Sequence, residues 1–390
     1  MAELRQNTWS LNAWYEQDYA GNVDYTTTVN AGFVWGRNSQ GQLGQNGNIP
    51  TNYSSPIQLP GNWSILEGGS GTTHGVKSDG TLWAMGRNDQ GRLGVNQPTS
   101  TKYSSPVQIP GTTWSTNRNH LDTRGGVVGG AIKTDGTLWM WGYGAYGRLG
   151  QNNQSSYSSP KQVPGTAWNV LSTSYNGQFC IRTDGTLWAW GNNDNGPNAG
   201  ILGQNNRTSY SSPKQIPGTT WSYVVASSSG GNVVGTKTDG TMWTWGSNAY
   251  GALAQGGISF NIKYSSPVQI PGSWTDEFGI GNYSPLCVKS DGTLWSWGYN
   301  TQGQLGQNNR IMYSSPVQIP GTTWSKVGAR ANTVFGIKTD GTAWAWGQNN
   351  YGMLGANFDD SDRSSPVQIP GTDWNRIDTA SDHICSTKLV

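Results

Sequence analysis

The chain is poor in charge, in cysteine and in long apolar runs. Only 12% of its 390 residues are charged, and the formal net charge is +2. There is no basic tail and no block of like charge. Nucleic-acid binders concentrate Lys and Arg on one face or in an arm, so no nucleic-acid partner is expected. Three cysteines cannot all pair with one another and show no metal-ligand spacing. No disulfide framework, metal centre or cofactor is expected from them. No apolar run approaches a membrane span, so membrane insertion is not expected, and MAELRQNTW lacks the apolar core of a signal peptide. The residues that favour helices are outweighed by Gly, Ser, Thr and Asn. That mixture suits short strands joined by tight turns, and 21 tryptophans supply large areas to bury.

What the chain has is a repeat. Aligned on a Trp-Gly or Met-Gly pair, seven copies end at Gly36, Gly86, Gly142, Gly191, Gly246, Gly298 and Gly347, at intervals of about 52 residues. Each is followed by a loop such as GYNTQGQLG (Gly298–Gly306), then by YSSPVQIPG or a relative, then by a Trp that opens the next unit. In TLWAWG, Trp188 and Trp190 share one strand face, while Leu187, Ala189 and Gly191 share the other. Such sheets stack on their own copies, bulk into gap. Prolines flanking SSPVQIP place that strand on an edge. Four short strands per unit and seven units predict an all-β, seven-bladed propeller of four-stranded blades.

The ends fit a closed ring. WNRIDTASDHICSTKLV (Trp374–Val390) matches the first two strands of a unit, and the first Trp-Gly strand begins near Val29–Asn30. The C-terminal strands are therefore expected to pair with the first N-terminal blade strands, leaving no open edge. The propeller then occupies 29–390 and an arm occupies 1–28. In the arm, Ser10 reads as an N-cap, Leu11, Trp14, Tyr15 and Tyr19 as an apolar stripe, and Gly21 as the stop of a short helix. A helix this short needs a surface. Trp9, Leu11, Trp14, Tyr15 and Tyr19 are the candidate anchor to a partner, with packing on the propeller itself as the competing outcome.

No catalytic constellation accompanies the repeat, and a non-enzymatic protein is expected. His74, His120 and His383 have neither metal partners nor a nucleophile signature and read as surface or loop histidines. Cys180 and Cys287 stand four residues before a turn Asp, where other units have Gly75, Ala131, Gly235 and Gly336. Cys385 is assigned the same slot, and all three read as buried structural thiols. Lys77, Lys133, Arg182, Lys237, Lys289 and Lys338 precede the turn aspartates by two residues and are expected to pair with them locally. Binding is sought where the repeat breaks its rule. Tyr143, Tyr146, Tyr250, Tyr299 and Tyr351 replace polar residues in the loop after Trp-Gly, and exposed Tyr favours interfaces. Insertions at Ser115–Val128 and Pro197–Gly200 are further candidates.

The pattern DGTLWAWGxNxxGQLG resembles the regulator of chromosome condensation repeat family, over essentially 29–390. That resemblance implies a seven-bladed propeller. The founding member is an exchange factor for a small GTPase and binds chromatin, but neither its basic tail nor an exchange wedge has a counterpart here. Other relatives are secreted inhibitors of β-lactamase. The regular TLWAWG and YSSPVQIPG units look most like repeat proteins of marine and cyanobacterial phages. By that likeness the chain is expected to be a virion structural or binding protein, a decoration, adaptor or fibre-associated propeller. Its partners are then capsid, tail or fibre proteins, and it is assembled in the host cytoplasm. A propeller recognising a host surface glycan or protein, outside the cell, is the alternative, and a cytoplasmic GTPase exchange factor the second.

Overall fold

The computed structural model describes residues 30–46, 52–194, 196, 199–228, 231–259, 261–356 and 361–389. The third repeat shows how one unit folds. Its strands Trp168–Thr173, Gly177–Arg182, Leu187–Gly191 and Tyr210–Ile216 form one antiparallel sheet in chain order. The Trp-opened strand lines the axis and the Ser-Pro strand is outermost, as its prolines require. The turn between the second and third strands needs Gly185 at φ +76, a left-handed backbone that glycine adopts without steric cost.

Five sheets have this four-stranded form, and a sixth has seven strands. The larger sheet is two blades joined by one continuous strand, Tyr53–Gly68. Its first half pairs with Asn30–Gly36 and its second half with Thr72–Lys77. The connection there reads PGNW. In five other units the connection is one residue longer, and the extra residue, such as Thr113 or Thr220, takes positive φ and breaks the strand; the PGSW connection at Pro271–Trp274 is equally short, yet its strand ends at Ile270. Five sheets plus two joined blades give seven. They are numbered here from the blade whose inner strand ends at Gly68.

Apolar side chains gather between blades rather than within them. Trp168, Leu171, Cys180 and Trp190 of blade 3 pack on Ile132, Leu138, Met140, Leu149 and Val163 of blade 2. Comparable clusters fill each of the seven seams. They include the seam between blades 7 and 1, where Val34 and Leu59 meet Trp63, Leu66 and Met85. Two hydrogen bonds mark six of the seven joints, the seam between blades 7 and 1 having Met85 in place of the donating Trp. Trp190 Nε1 donates to the Arg148 carbonyl (3.0 Å), and the Trp168 amide donates to the Gly136 carbonyl (3.1 Å).

The two ends of the described chain share blade 7. His383–Leu389 pairs antiparallel with Asn30–Gly36 through seven residue pairs, from Asn30–Leu389 to Gly36–His383. Trp374–Thr379 forms the inner strand of the same blade. Trp35 Nε1 then donates to the Met353 carbonyl at 2.8 Å, repeating the joint across the join between blades 6 and 7.

Candidate interaction surface

The two faces of the ring differ in chemistry. One carries the TDG turns. In blade 3, Asp184 Oδ1 accepts hydrogen bonds from the Thr186 amide (3.0 Å) and hydroxyl (2.6 Å). The Thr186 hydroxyl in turn accepts from Trp188 Nε1 (2.9 Å). The Thr186 bonds hold the carboxyl below its usual range, with Arg182 adding less. The local charge pairing expected from sequence is replaced by another contact. Arg182 lies over the Trp168 and Trp188 rings at 5.0 and 5.6 Å, and Lys237 over Trp221 and Trp243 at 5.0 and 4.5 Å. Lys77, Lys133, Lys289 and Lys338 do the same. The cations are thus structural, covering indoles by cation–π contact.

The opposite face carries the loops after Trp-Gly and those between the first and second strands. Tyr143, Tyr146, Tyr250, Tyr299 and Tyr351 all lie there, in three groups. Tyr143 and Tyr146 join Tyr175 around the Arg148 guanidinium, at 5.3, 5.0 and 4.9 Å. Tyr250 meets Tyr299 at 4.5 Å and Tyr283 at 5.4 Å. Tyr351 lies under Arg37 at 5.1 Å. Tyr146 and Tyr351 are exposed, while Tyr143, Tyr250 and Tyr299 are half-buried. Tyr175, Tyr283, Ile258, Ile262 and Ile311 were not singled out from sequence. Ile311, in the loop QNNRIMY, breaks a polar position just as the tyrosines do and was legible by the same rule. Among the described residues the exposed large hydrophobics are Tyr146, Tyr175, Ile258, Ile262, Ile311 and Tyr351. All six lie on this loop face. Their confinement to one face makes it the candidate interaction surface.

The axis is occupied by charge. Ser70, Gly126, Tyr175, Ser228, Asn282, Ala331 and Ser381, one from each blade, ring the opening on the loop face. Beneath it lie Glu67, Asp122, Arg124, Arg330, Arg376 and Asp378. Arg124 pairs with Asp122 (2.7 Å), and Arg376 pairs with Asp378 and reaches Glu67 at 3.3 Å. Arg330 donates to the carbonyls of Gly68 and Arg124. The insertion Ser115–Val128, a candidate binding segment, turns into the axis. Its Arg118 bonds Glu277 of blade 5 with both oxygens (2.6 and 3.4 Å). Arg118 finds its partner on the opposite wall, where it cannot be seen from local sequence, whereas His120 meets Asn169 of the adjacent blade and Arg124 pairs with Asp122 inside the insertion. Of the second insertion, Pro197 and Asn198 lie outside the described residues, and Ala199 is buried.

Other expectations change too. His74 and His383 are fully buried strand residues, not surface ones. His74 lies 5.8 Å from Trp141, and His383 Nε2 is 2.8 Å from the Thr73 hydroxyl. His120 is part-buried beside Asn169. Cys180 and Cys287 occupy the small-residue slot opposite Leu171 and Phe278. Cys385 does not: Ser386 lies opposite Ile377, and Cys385 is one position off, on the other sheet face. All three thiols are buried, as expected. The anchor candidates Trp9, Leu11, Trp14, Tyr15 and Tyr19 lie outside the described residues. No group of three metal-ligating side chains occurs among the described residues, and no described helix is long and apolar enough to cross a membrane.

Stretches 79–116, 135–173, 291–329 and 340–385 match the regulator of chromosome condensation (RCC1) repeat. They are offset from the blades, each running from a turn between the second and third strands into the next blade, and 340–385 as far as its second strand. Human E3 ubiquitin-protein ligase HERC2 is 28% identical over 181 residues, 45% of this chain and 4% of that protein. The Arabidopsis thaliana ultraviolet-B receptor UVR8 is 25% identical over 192 residues, 45% of this chain and 40% of that protein. The chain thus matches less than half the length of these curated relatives. Among solved structures, Prp20p of Saccharomyces cerevisiae superposes with a TM-score of 0.78 at 18% identity, covering 95% of this chain and 94% of that one. Human WBSCR16 gives 0.76 at 18% identity, covering 92% and 98%. These likenesses establish the RCC1-like propeller fold.

Proposed function

We propose that the chain is a non-enzymatic, protein-binding propeller that receives its partner on the loop face. The observation that carries this is the one-sided exposure: all six exposed large hydrophobics among the described residues lie there. Tyr and Ile set beside arginines make an interface of aromatic anchors with a polar rim. The opposite face presents carboxylates and half-covered indoles already engaged by cations. Solved relatives support protein binding. Prp20p is described with its binding properties to Gsp1p and histones, and yeast RCC1 (Prp20) has been solved bound to Kap60. The test compares two variants of the full chain. One combines Tyr146→Ser, Ile311→Ser and Tyr351→Ser; the other combines Asp184→Ala, Asp239→Ala and Asp291→Ala. Co-purifying proteins are quantified by mass spectrometry. The loop-face variant is expected to lose the partner that the turn-face variant keeps; equal retention overturns the assignment.

The partner we propose is a component of a virus particle, with residues 1–28 as the anchor and the virion as the location. The support is the likeness of the TLWAWG and YSSPVQIPG units to phage repeat proteins. Mass spectrometry of purified particles decides: a particle without this chain removes the virion reading and leaves the loop-face interface untouched. Exchange activity on a small GTPase is the second reading, favoured by the RCC1 repeats themselves, and a nucleotide-release assay tests it directly. A glycan array tests the remaining alternative, a host-glycan receptor.

A further inference from the structure

Behind the Arg118–Glu277 bridge the inner strands enclose a cavity on the turn-face side of the axis. It leaves about 40 Å³ for the centres of water-sized molecules, enough for a small polyatomic ion. Four cations, Arg118, Arg124, Lys326 and Arg376, line it with two carboxylates, Glu277 and Asp378. Asp122 and Glu67, just outside the lining, also pair with Arg124 and Arg376, so the surplus lies less in charge than in hydrogen-bond donors. Glu277 is engaged by the Arg118 fork. Arg376 spends Nε and one Nη on Asp378 and Glu67, and its other Nη has no partner among the described residues. Arg124 spends Nε and one Nη on Asp122, again leaving the second Nη. Lys326 bonds only the carbonyl and side-chain oxygen of Asn375, at 2.7 and 2.9 Å, so one of its three N–H groups remains. Lys326 makes no ion pair among the described residues. Burial draws its pKa below the usual lysine value; the Glu277 charge offsets part of this, and Arg118 and Arg376 add to the lowering.

We propose that this cavity is a binding site for a small oxyanion, a carboxylate or a phosphate, held by Lys326, Arg376 and Arg124. Unspent donors on three convergent cations call for an acceptor that the protein does not supply. An oxyanion offers several lone pairs in the geometry that guanidinium groups favour. The Arg118–Glu277 bridge stands at the mouth, about one third exposed on each side, and acts as the gate. Glu277 competes with the incoming anion for the same cations.

Thermal unfolding of the full chain, followed by tryptophan fluorescence, tests this in sodium acetate, sodium phosphate and sodium chloride at equal ionic strength. Acetate or phosphate is expected to raise Tm saturably above the chloride control, and whichever does so identifies the source of the oxyanion. Lys326→Met is expected to raise the half-saturating concentration about tenfold or more, the scale of one charged hydrogen bond. Glu277→Gln is expected to lower it, because a competing carboxylate is gone. Identical Tm values in the three salts overturn the proposal, as does Lys326→Met saturating with the wild type. Should Lys326→Met fail to fold, Glu277→Gln decides alone: a half-saturation that is unchanged or raised overturns the site.

Discussion

Glu67 occupies an inner-strand position where blades 3, 4 and 6 have Ser172, Val225 and Gly328. Blade 7, with Asp378, and blade 2, with Asp122, also place a carboxyl there. Burial, and then the Asp378 charge, push the Glu67 pKa from its ordinary 4.5 up to about 8. The folded protein therefore holds this proton more tightly than the unfolded chain does. Between pH 4.5 and about 8 the folded state binds more protons, and stability falls as pH rises. Glu67→Gln is expected to flatten that decline and to stabilise the protein above pH 8, by a few kcal/mol at most. Urea unfolding at pH 5, 7 and 9 checks this; a wild-type slope retained in the variant refutes it. His74 acts in the opposite sense at lower pH. Burial lowers its pKa to about 4 from 6.5, so its contribution is lost as pH falls through that window. Neither effect was legible in the sequence, because both residues sit in ordinary strand positions and only the axis and the seam make them buried. Cys385 misleads for a related reason. Its segment lacks the TDG turn from which the slot is counted, and the register is set instead by Trp374 opposite Lys388.

At the scale of the element, the loop after each Trp-Gly strand is a joint as well as a surface. Its closing glycine lets the loop carbonyls reach the next blade's tryptophan. Gly150 has φ +68, and a Cβ there would stand 3.0 Å from Trp190 Nε1. Gly150→Ala is expected to cost ~1–3 kcal/mol, from left-handed strain and crowding of a packed indole. Chemical denaturation checks this; a change below ~0.5 kcal/mol counts against the joint. The same glycine was visible in the GQLG signature, so the joint was written in the repeat, while its partner was not. The insertion Ser115–Val128 shows the converse. Its length was evident from alignment of the units, but its direction depends on Glu277, 159 residues from Arg118. An ion pair across the axis leaves no local pattern. The TLWAWG strands were the best-read elements, since period-2 alternation and the small spacer report both faces at once.

For the whole molecule, the decisive question is what holds seven seams in a ring. The repeat predicts the seams, and the half-units at the two ends predict the join. Blade 7 takes two strands from the C-terminal segment and two from residues 30–60. Removing residues 374–389 exposes the pairing edge of Asn30–Gly36 and strips Trp374, Ile377 and Ile384 from the blade 6–7 seam. Three such side chains are worth ~5 kcal/mol or more at ~1.5–3 each, comparable to the whole stability of an ordinary domain. The truncated chain is therefore expected to lose its cooperative circular-dichroism melt and to elute early or aggregated in size exclusion, as an unpaired strand edge invites association. An unchanged melt refutes closure by strand pairing. Adding a peptide of residues 374–389 separates a broken seam from general damage. If the ring is held by this pairing, the peptide supplies the missing strands and restores the melt. A peptide with Trp374→Ala and Ile384→Ala keeps the backbone donors but not the seam, and should restore less. The difference between the two measures how much of closure is side-chain packing and how much is the ladder.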